Sequence, residues 1–256
     1  MGFFKTSMWR GLASQVVWHI LGMGFVFLIR MIMGLEVFAP SSTARFGFGL
    51  VSPAAEAAWV FGGVVGAAAF MKGTGVLDDW IKWARGISTP EHHDDPPGWQ
   101  KYFNLSLDHK VIGIQYGYTS VAVIILAGIF ALTFRTELLT PAADILKVNG
   151  SQTSDILDFF NTMVSLHGML MIAGMLLGVG AMINYLVPLM IGARDMAFPR
   201  LNAFAYWINI PGAVLVVATL FLGGVDAGWT AYPPLSSSLE KLGFQTFFLG
   251  VYLIGF

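Results

Sequence analysis

The sequence predicts an all-α integral membrane protein, built as a multi-helix bundle. Three observations point there. Apolar residues make up 56% of the 256 positions and charged residues 11%, against roughly 25% charged in a soluble domain. Six apolar runs recur along the chain, and the first five cover the roughly 20 residues that cross a hydrocarbon core. Glycine reaches 30 residues and aromatics 14%, which suits helices that pack closely and anchor at the interface. Cysteine is absent, so disulfides, thiol chemistry and iron–sulfur ligation are excluded within this chain. The net charge of −1 carries no nucleic-acid footprint.

The runs fall at about 12–35, 52–71, 111–133, 162–190, 203–224 and 243–256. Lys5 and Arg10 precede the first. It is too long for a signal h-region and reads as a retained helix. The second, with "GVVGAAAF", reads as a small-residue helix packed tightly on a neighbour, with a re-entrant segment as the alternative. Between the second and third runs, 72–110 reads as a polar cytoplasmic linker. Its "EHHDDPPGW" sets His92 and His93 beside Asp94 and Asp95, and solvated linker is preferred there over a metal site. The sixth run is still apolar at Phe256, which leads us to expect further helices, in a longer molecule or in a second polypeptide.

Lysine and arginine orient the bundle. With the N-terminus inside, Lys5, Arg10, Lys72, Lys82, Arg85, Lys101, Lys110, Arg194 and Arg200 are cytoplasmic. Arg45, Arg135, Lys147 and Lys241 fall outside or at the outer edge. The excess favours a cytoplasmic N-terminus by the positive-inside rule. Arg30 near the end of the first run snorkels and is assigned no function.

Few polar groups sit inside the runs, so each needs a reason. His167 stands in "SLHGMLMIAG", near the membrane face opposite the N-terminus. Its two ring nitrogens are satisfied either by an interhelical hydrogen bond or by iron on one side and a carbonyl on the other. Gly168, Gly174, Gly178 and Gly180 follow, and their missing side chains admit either a flat macrocycle or a partner helix. His19, mid-span in the first run, reads as a packing histidine; facing His167 across a haem it would make a bis-histidine cytochrome. His109 lies at the cytoplasmic edge, too far in depth to pair with His167. At the inner loop, Asn184, Asp195 and Asn202 surround a turn flanked by Arg194 and Arg200. Either Asp195 pairs with an arginine, or the three form a polar funnel holding a file of water. Arg135 and Glu137 close the outer end of the third run. In the outer loop "GGVDAGWTAYPPLSSS", Trp229 and Tyr232 are interface anchors or a cap over a cofactor edge.

Taken together, "DHKVIGIQYGYTS", "FRTEL", "LHGMLMIAG", "NYLVPLMIGARDMAFPRLNAFAYW" and "GWTAYPPLS" strongly resemble subunit I of haem–copper terminal oxidases. The cytochrome c oxidase branch with a carboxylate-gated proton channel is the nearest in pattern. The resemblance covers about 98–256. It implies two domains: an extension over 1–97 with two extra membrane helices and a cytoplasmic linker, and the first part of the oxidase core over 98–256.

The resemblance implies that His167 ligates the low-spin haem iron, with the opposite ligand supplied by a later helix. It implies that Arg135 bonds the tail hydroxyl of an A-type haem and that Glu137 lies near a calcium or sodium site. Asp195 becomes the mouth of the proton-uptake channel, lined by Asn184 and Asn202, with Ala203 in place of the family's second asparagine. Trp229 and Tyr232 become the aromatic loop above the haems. Val111 and Phe159 stand where quinol-oxidising members carry an arginine and a histidine, which favours cytochrome c or another small redox protein as donor. Nitric oxide reductases share the haem ligand but not the "GARDMAFPRLN" funnel.

The copper-ligating histidines, the cross-linked tyrosine, the high-spin haem ligand and the channel-top glutamate all follow the matched region. The second haem and its copper are therefore expected from the rest of the subunit or a partner chain. A copper-bearing subunit II, a subunit III-like protein and lipid complete the implied complex, in a prokaryotic inner membrane. The rival readings are a non-catalytic membrane cytochrome and a cofactor-free transporter or structural bundle with Asp195 as an ion site.

Overall fold

The computed structural model describes residues 3–35, 53–87, 98–141, 153–234, 236 and 242–255, all helix, turn or coil, with no strand among them. The helices are α1 (Ser7–Ile32), α2 (Pro53–Thr74), α3 (Val76–Ala84), α4 (His109–Glu137), α5 (Thr153–Ile191), α6 (Pro199–Ala218) and α7 (Leu242–Ile254). Of these, α1, α2, α4, α5 and α6 are long and apolar enough to cross a membrane. Large apolar side chains such as Val16, Ile20, Leu21, Ile125, Leu132 and Met182 face outward, as in a bundle solvated by lipid. The protein is an integral membrane protein. His92, His93, Asp94, Asp95, Arg45, Lys147, Lys241 and Phe256 lie outside the described residues.

The second apolar run forms a continuous helix of 22 residues, antiparallel to α1. Glycine brings the two backbones together. A Cβ on Gly62 would lie 2.6 Å from the His19 carbonyl, and one on Gly22 would lie 3.0 Å from the Gly62 Cα. No larger residue fits either place, which is the small-residue packing the sequence predicts. His19 packs into this seam with its ring centroid 4.3 Å from that of Trp59. It faces α2, and the expectation of a packing histidine holds in position. It is not a satisfied one: the buried Nε2 meets no partner among the described residues.

The polar linker expected over 72–110 needs correction, because part of it is structured. Gly75, at φ 93°, turns the chain out of α2 and straight into α3. That helix is strongly amphipathic, burying Val76 in the core and packing Trp80 against Phe204 of α6, with centroids 5.8 Å apart and the rings tilted by 35°. Mixed charge in "LDDWIKWAR" disguised a helix that lies along the bundle. Farther on, the 3-10 segment Gly98–Phe103 leads to Asn104, whose Oδ1 accepts from the Ser7 N–H at 3.0 Å. Gln115 Nε2 donates to the carbonyls of Tyr102 and Asn104 at 3.3 and 2.9 Å. The start of α1 and the start of α4 are thereby joined through this segment.

α4 and α5 form a long antiparallel pair. Asp108 caps α4 by accepting from Lys110 N–H at 2.7 Å, the orphan donors of a first turn being the reason for an aspartate there. α5 runs for 39 residues, with Pro188 inside it. Of the two occupants the sequence left open beside its glycines, a flat macrocycle or a partner helix, three of them meet the partner helix. Gly174 faces Ile124, Gly178 faces Ser120 and Gly180 faces Tyr116, all on α4. Ser120 Oγ also donates to the Gly174 carbonyl at 2.6 Å. The open face of α5 is filled by its own partner helix.

α6 begins with Pro199, whose fixed φ suits a first turn. α7 returns along α6, with a Cβ on Gly250 only 2.8 Å from the Gly212 carbonyl. Two buried clusters result. One joins Phe70, Met71 and Val76 to Ile112, Tyr116, Tyr206 and Trp207; the other joins Ala127, Phe130, Leu166 and Leu170 to Val216, Val225 and Phe247. Phe70 of α2 meets Trp207 of α6 in the first cluster, so the N-terminal hairpin is docked against the later helices through buried aromatic surface.

Candidate functional site

The candidate residues sort to opposite ends of the bundle. His167 and Ile191 are separated by about 36 Å along α5 at the usual helical rise, more than the roughly 30 Å of hydrocarbon in a bilayer. His167, Arg135, Glu137, Trp229 and Tyr232 gather toward one end, and Asp195, Asn184 and Asn202 toward the other.

At the first end, His167 Nδ1 lies 2.9 Å from the Ala127 carbonyl of α4. A carbonyl can only accept, so Nδ1 carries the proton and Nε2 keeps its lone pair. That is the tautomer a metal-ligating imidazole takes, with a backbone carbonyl orienting the ring from behind. The Phe134 ring braces it edge-on, with centroids 5.6 Å apart. Bond and brace fit a haem-iron ligand. The interhelical hydrogen bond and the ligand role, set against each other on sequence grounds, are compatible, since one nitrogen serves each.

The loop after α6 is fastened to the same face of α5. Thr162 Oγ1 accepts from the Val225 N–H at 3.2 Å, and Ser165 Oγ accepts from the Gly228 N–H at 3.0 Å. These bonds lay Trp229 over Gly168, where a Cβ would come within 2.9 Å of the indole Cδ1. Trp229 is thus the neighbour of the residue next to His167, and glycine at 168 is what makes room. Thr162 and Ser165 escaped sequence reading, although they sit five and two residues before His167, because small hydroxyls in a helix are common. Tyr232 stays 73% exposed and makes no part of this packing. Arg135 is exposed at the end of α4, and Glu137 is buried two residues on.

At the other end, Pro188 lacks the N–H that the Asn184 carbonyl would use within the helix. His109 Nδ1 fills the gap, donating to that carbonyl at 2.9 Å. His109 therefore holds α5 against the start of α4, well away from His167. Asn184 Nδ2 donates to the Gly180 carbonyl at 2.8 Å, while its buried Oδ1 meets no partner among the described residues. Asn202, in the first turn of α6, has a buried Nδ2 in the same condition. An acceptor on one helix and a donor on the next, both buried and unmatched, are what ordered water satisfies.

Asp195 lies half-buried in the link between α5 and α6 and accepts from the Met196 N–H at 2.7 Å. Pairing of Asp195 with a flanking arginine is not what is found. Arg200 Nε instead donates to Asp79 Oδ2 of α3 at 3.1 Å, and among the described residues no cation pairs with Asp195. The physical reason is α3 itself, which places a carboxylate beside α6 where the sequence suggested open linker.

Above Asn202 the hydroxyls of Tyr118 and Tyr206 are 3.0 Å apart, and Thr119 Oγ1 is 3.0 Å from the same Tyr206 hydroxyl. Among the described residues no three His, Asp or Glu side chains converge as a metal cluster.

Comparison with known proteins identifies the family. The family described as "Cytochrome C and Quinol oxidase polypeptide I" matches residues 111–256, more than half of the chain. A protein named cytochrome c oxidase subunit 1 from Synechocystis sp. is 44% identical over 158 residues, covering 61% of this chain and 27% of its own length. One of the same name from Thermostichus vulcanus is 43% identical over 173 residues, covering 66% and 29%. Cytochrome c oxidase polypeptide 1 of Halobacterium salinarum is 34% identical over 193 residues, covering 70% and 31%. The chain spans less than a third of the length of these curated relatives. On the extent of the family match, the chain belongs to the haem–copper oxidase subunit I family.

Proposed function

We propose that this chain forms the first part of the catalytic subunit of a proton-pumping respiratory oxidase. In this reading His167 would hold a low-spin haem, which would supply one-electron transfer, and Asp195 would stand at the entrance for protons. The observation that carries the reading is the bond from His167 Nδ1 to the Ala127 carbonyl, which leaves Nε2 free to bind iron. Residues 1–97 form an extension that adds α1, α2 and α3 to an oxidase core beginning near residue 98.

A haem held by His167 supplies a one-electron carrier, and the oxygen-reducing haem–copper pair comes from segments outside this chain. The chain's own residues do the positioning. Ala127 and Phe134 fix the imidazole plane. The loop stapled by Thr162 and Ser165 holds Trp229 over α5, excluding water beside the ligand and capping the site. Arg135 anchors the A-type haem's tail at the end of α4, and Tyr232 belongs to the same aromatic loop. Glu137 contributes to a calcium or sodium site at that end.

Opposite, Asp195 accepts protons from the aqueous phase, and Asn184 Oδ1 with Asn202 Nδ2 orders the water that carries them inward. Amides suit this task because they orient water without holding the proton. Electrons thus enter near one membrane face and protons near the other, which is the geometry a proton-motive oxidase requires. The Asp195 end faces the cytoplasm of a prokaryotic cell, and the electron donor is cytochrome c or a similar small protein meeting a copper-bearing subunit on the far side.

His167→Ala tests this in the assembled complex, read by the reduced-minus-oxidised optical spectrum. The low-spin haem band is expected to vanish while the other subunits stay associated. A normal band in that variant refutes the ligand assignment. Oxygen uptake with reduced cytochrome c then separates an oxidase from a non-catalytic cytochrome.

A further inference from the structure

Along the surface of the α4–α5 pair runs an open, mainly apolar groove of about 490 Å³. Gly113, Ile114, Gly117 and Tyr118 of α4 bound it on one side, with Met182 and Tyr185 of α5 on the other. Ile114, Met182 and Tyr185 are exposed there. The two glycines differ in what they face. At Gly113 α5 already fills the space, since a Cβ would lie 3.0 Å from the Tyr185 backbone nitrogen. At Gly117 a Cβ meets only the Ala181 methyl, at 3.7 Å, so the groove is open above it. Tyr118 spends its hydroxyl on the Tyr102 carbonyl and the Tyr206 hydroxyl, and offers the groove its ring.

Lys110 stands one turn before Gly113 and Ile114, on the same face of α4. It is exposed, and its ammonium meets no carboxylate among the described residues. Asp108, two residues back, accepts from the Lys110 backbone N–H as the helix cap. From Lys110 to Tyr118 the helix rises about 12 Å, which fits within one leaflet, about 15 Å of hydrocarbon.

Two kinds of occupant suit such a crease, a further helix or a hydrocarbon chain. The four-residue spacing of Gly113 and Gly117 favours close approach of a helix, but α5 has taken that approach through Tyr185 and Ala181. Another helix, about 10 Å across, would ride over the crease without filling it, and would need a carboxylate of its own for Lys110. A phospholipid brings both parts at once, a narrow apolar tail and a negative phosphate at interface depth.

We propose that this groove binds an acyl chain of an anionic phospholipid from the leaflet around the Asp195 end, with the phosphate on Lys110. The lipid lies on the outside of the α4–α5 pair, and its binding needs neither the haem nor the proton inlet.

The test uses the whole complex, delipidated in mild detergent and then offered phosphatidylglycerol or phosphatidylcholine. Native mass spectrometry counts the lipids held per complex. Gly117→Leu puts a side chain into the groove without meeting backbone, and is expected to remove one tightly held phosphatidylglycerol. Lys110→Gln leaves the groove open and is expected to cut the preference for phosphatidylglycerol over phosphatidylcholine about fivefold, the effect of one cation near a charged headgroup. Lys110→Arg is expected to keep that preference. An unchanged lipid count in Gly117→Leu overturns the proposal, and is the result expected if a further helix covers the groove. An unchanged preference in Lys110→Gln overturns the phosphate contact and the choice of ligand with it. If Gly117→Leu does not assemble, the preference of Lys110→Gln decides alone.

Discussion

Proline 188 sits inside a helix of 39 residues, and its consequence is felt at Asn184, whose carbonyl loses its helical donor. His109 supplies the replacement from α4. Replacing His109 with leucine is therefore expected to strand a buried carbonyl and destabilise the bundle by about 1–3 kcal/mol. Thermal unfolding of the detergent-solubilised complex measures this, and an unchanged midpoint would show that water takes the imidazole's place. The sequence places His109 at the end of an apolar run without revealing its partner. Pro188 and His109 are 79 positions apart, and no local pattern links them. His167 was the reverse case. A lone imidazole in an apolar run was legible as a candidate, but its tautomer was decided by the Ala127 carbonyl on another helix. Asn184 and Asn202 were legible as amides near one membrane face, and only packing showed which of their atoms lack partners.

At the level of elements, the five spanning helices follow closely from the apolar runs, since a hydrocarbon core demands length and apolarity wherever the chain crosses. The small residues of "GVVGAAAF" mark α2 as a tightly packed helix, and only the fold shows that α1 is the helix it packs against. The tolerance of that seam is low. Gly62→Leu is expected to force α2 away from α1, as a Cβ there meets backbone at 2.6 Å and cannot be relieved by a side-chain rotation. Less assembled complex and faster proteolysis between the two helices are the expected readouts; wild-type protease resistance would show that the seam can open without harm. α3 was missed. Nine residues make less than three turns, and at that length helix and structured turn share the same mixed-charge pattern. What makes it a helix is the surface of α6 that it covers.

For the whole molecule, two ends with different chemistry are the organising fact. Lysine and arginine predict that the Asp195 end is cytoplasmic. The absence of cysteine makes a clean experiment. Leu139→Cys at one end and Ile191→Cys at the other introduce single thiols at exposed sites, 77% and 73% accessible. In intact spheroplasts a membrane-impermeant maleimide is expected to label residue 139 and spare 191. The opposite pattern would invert the topology and, with it, the direction of proton entry.

Sequence alone determined that this chain lives in a membrane, how many times its described part can cross, and which few polar residues the apolar runs must account for. Those conclusions rest on the cost of placing polar groups in hydrocarbon, which every residue feels independently of its neighbours. Tertiary structure decided which nitrogen of His167 is free, what fills the glycine face of α5, and that Arg200 turns to Asp79 rather than Asp195. Each of these is a choice among partners far apart in the chain, settled only when packing brings one of them within hydrogen-bond reach.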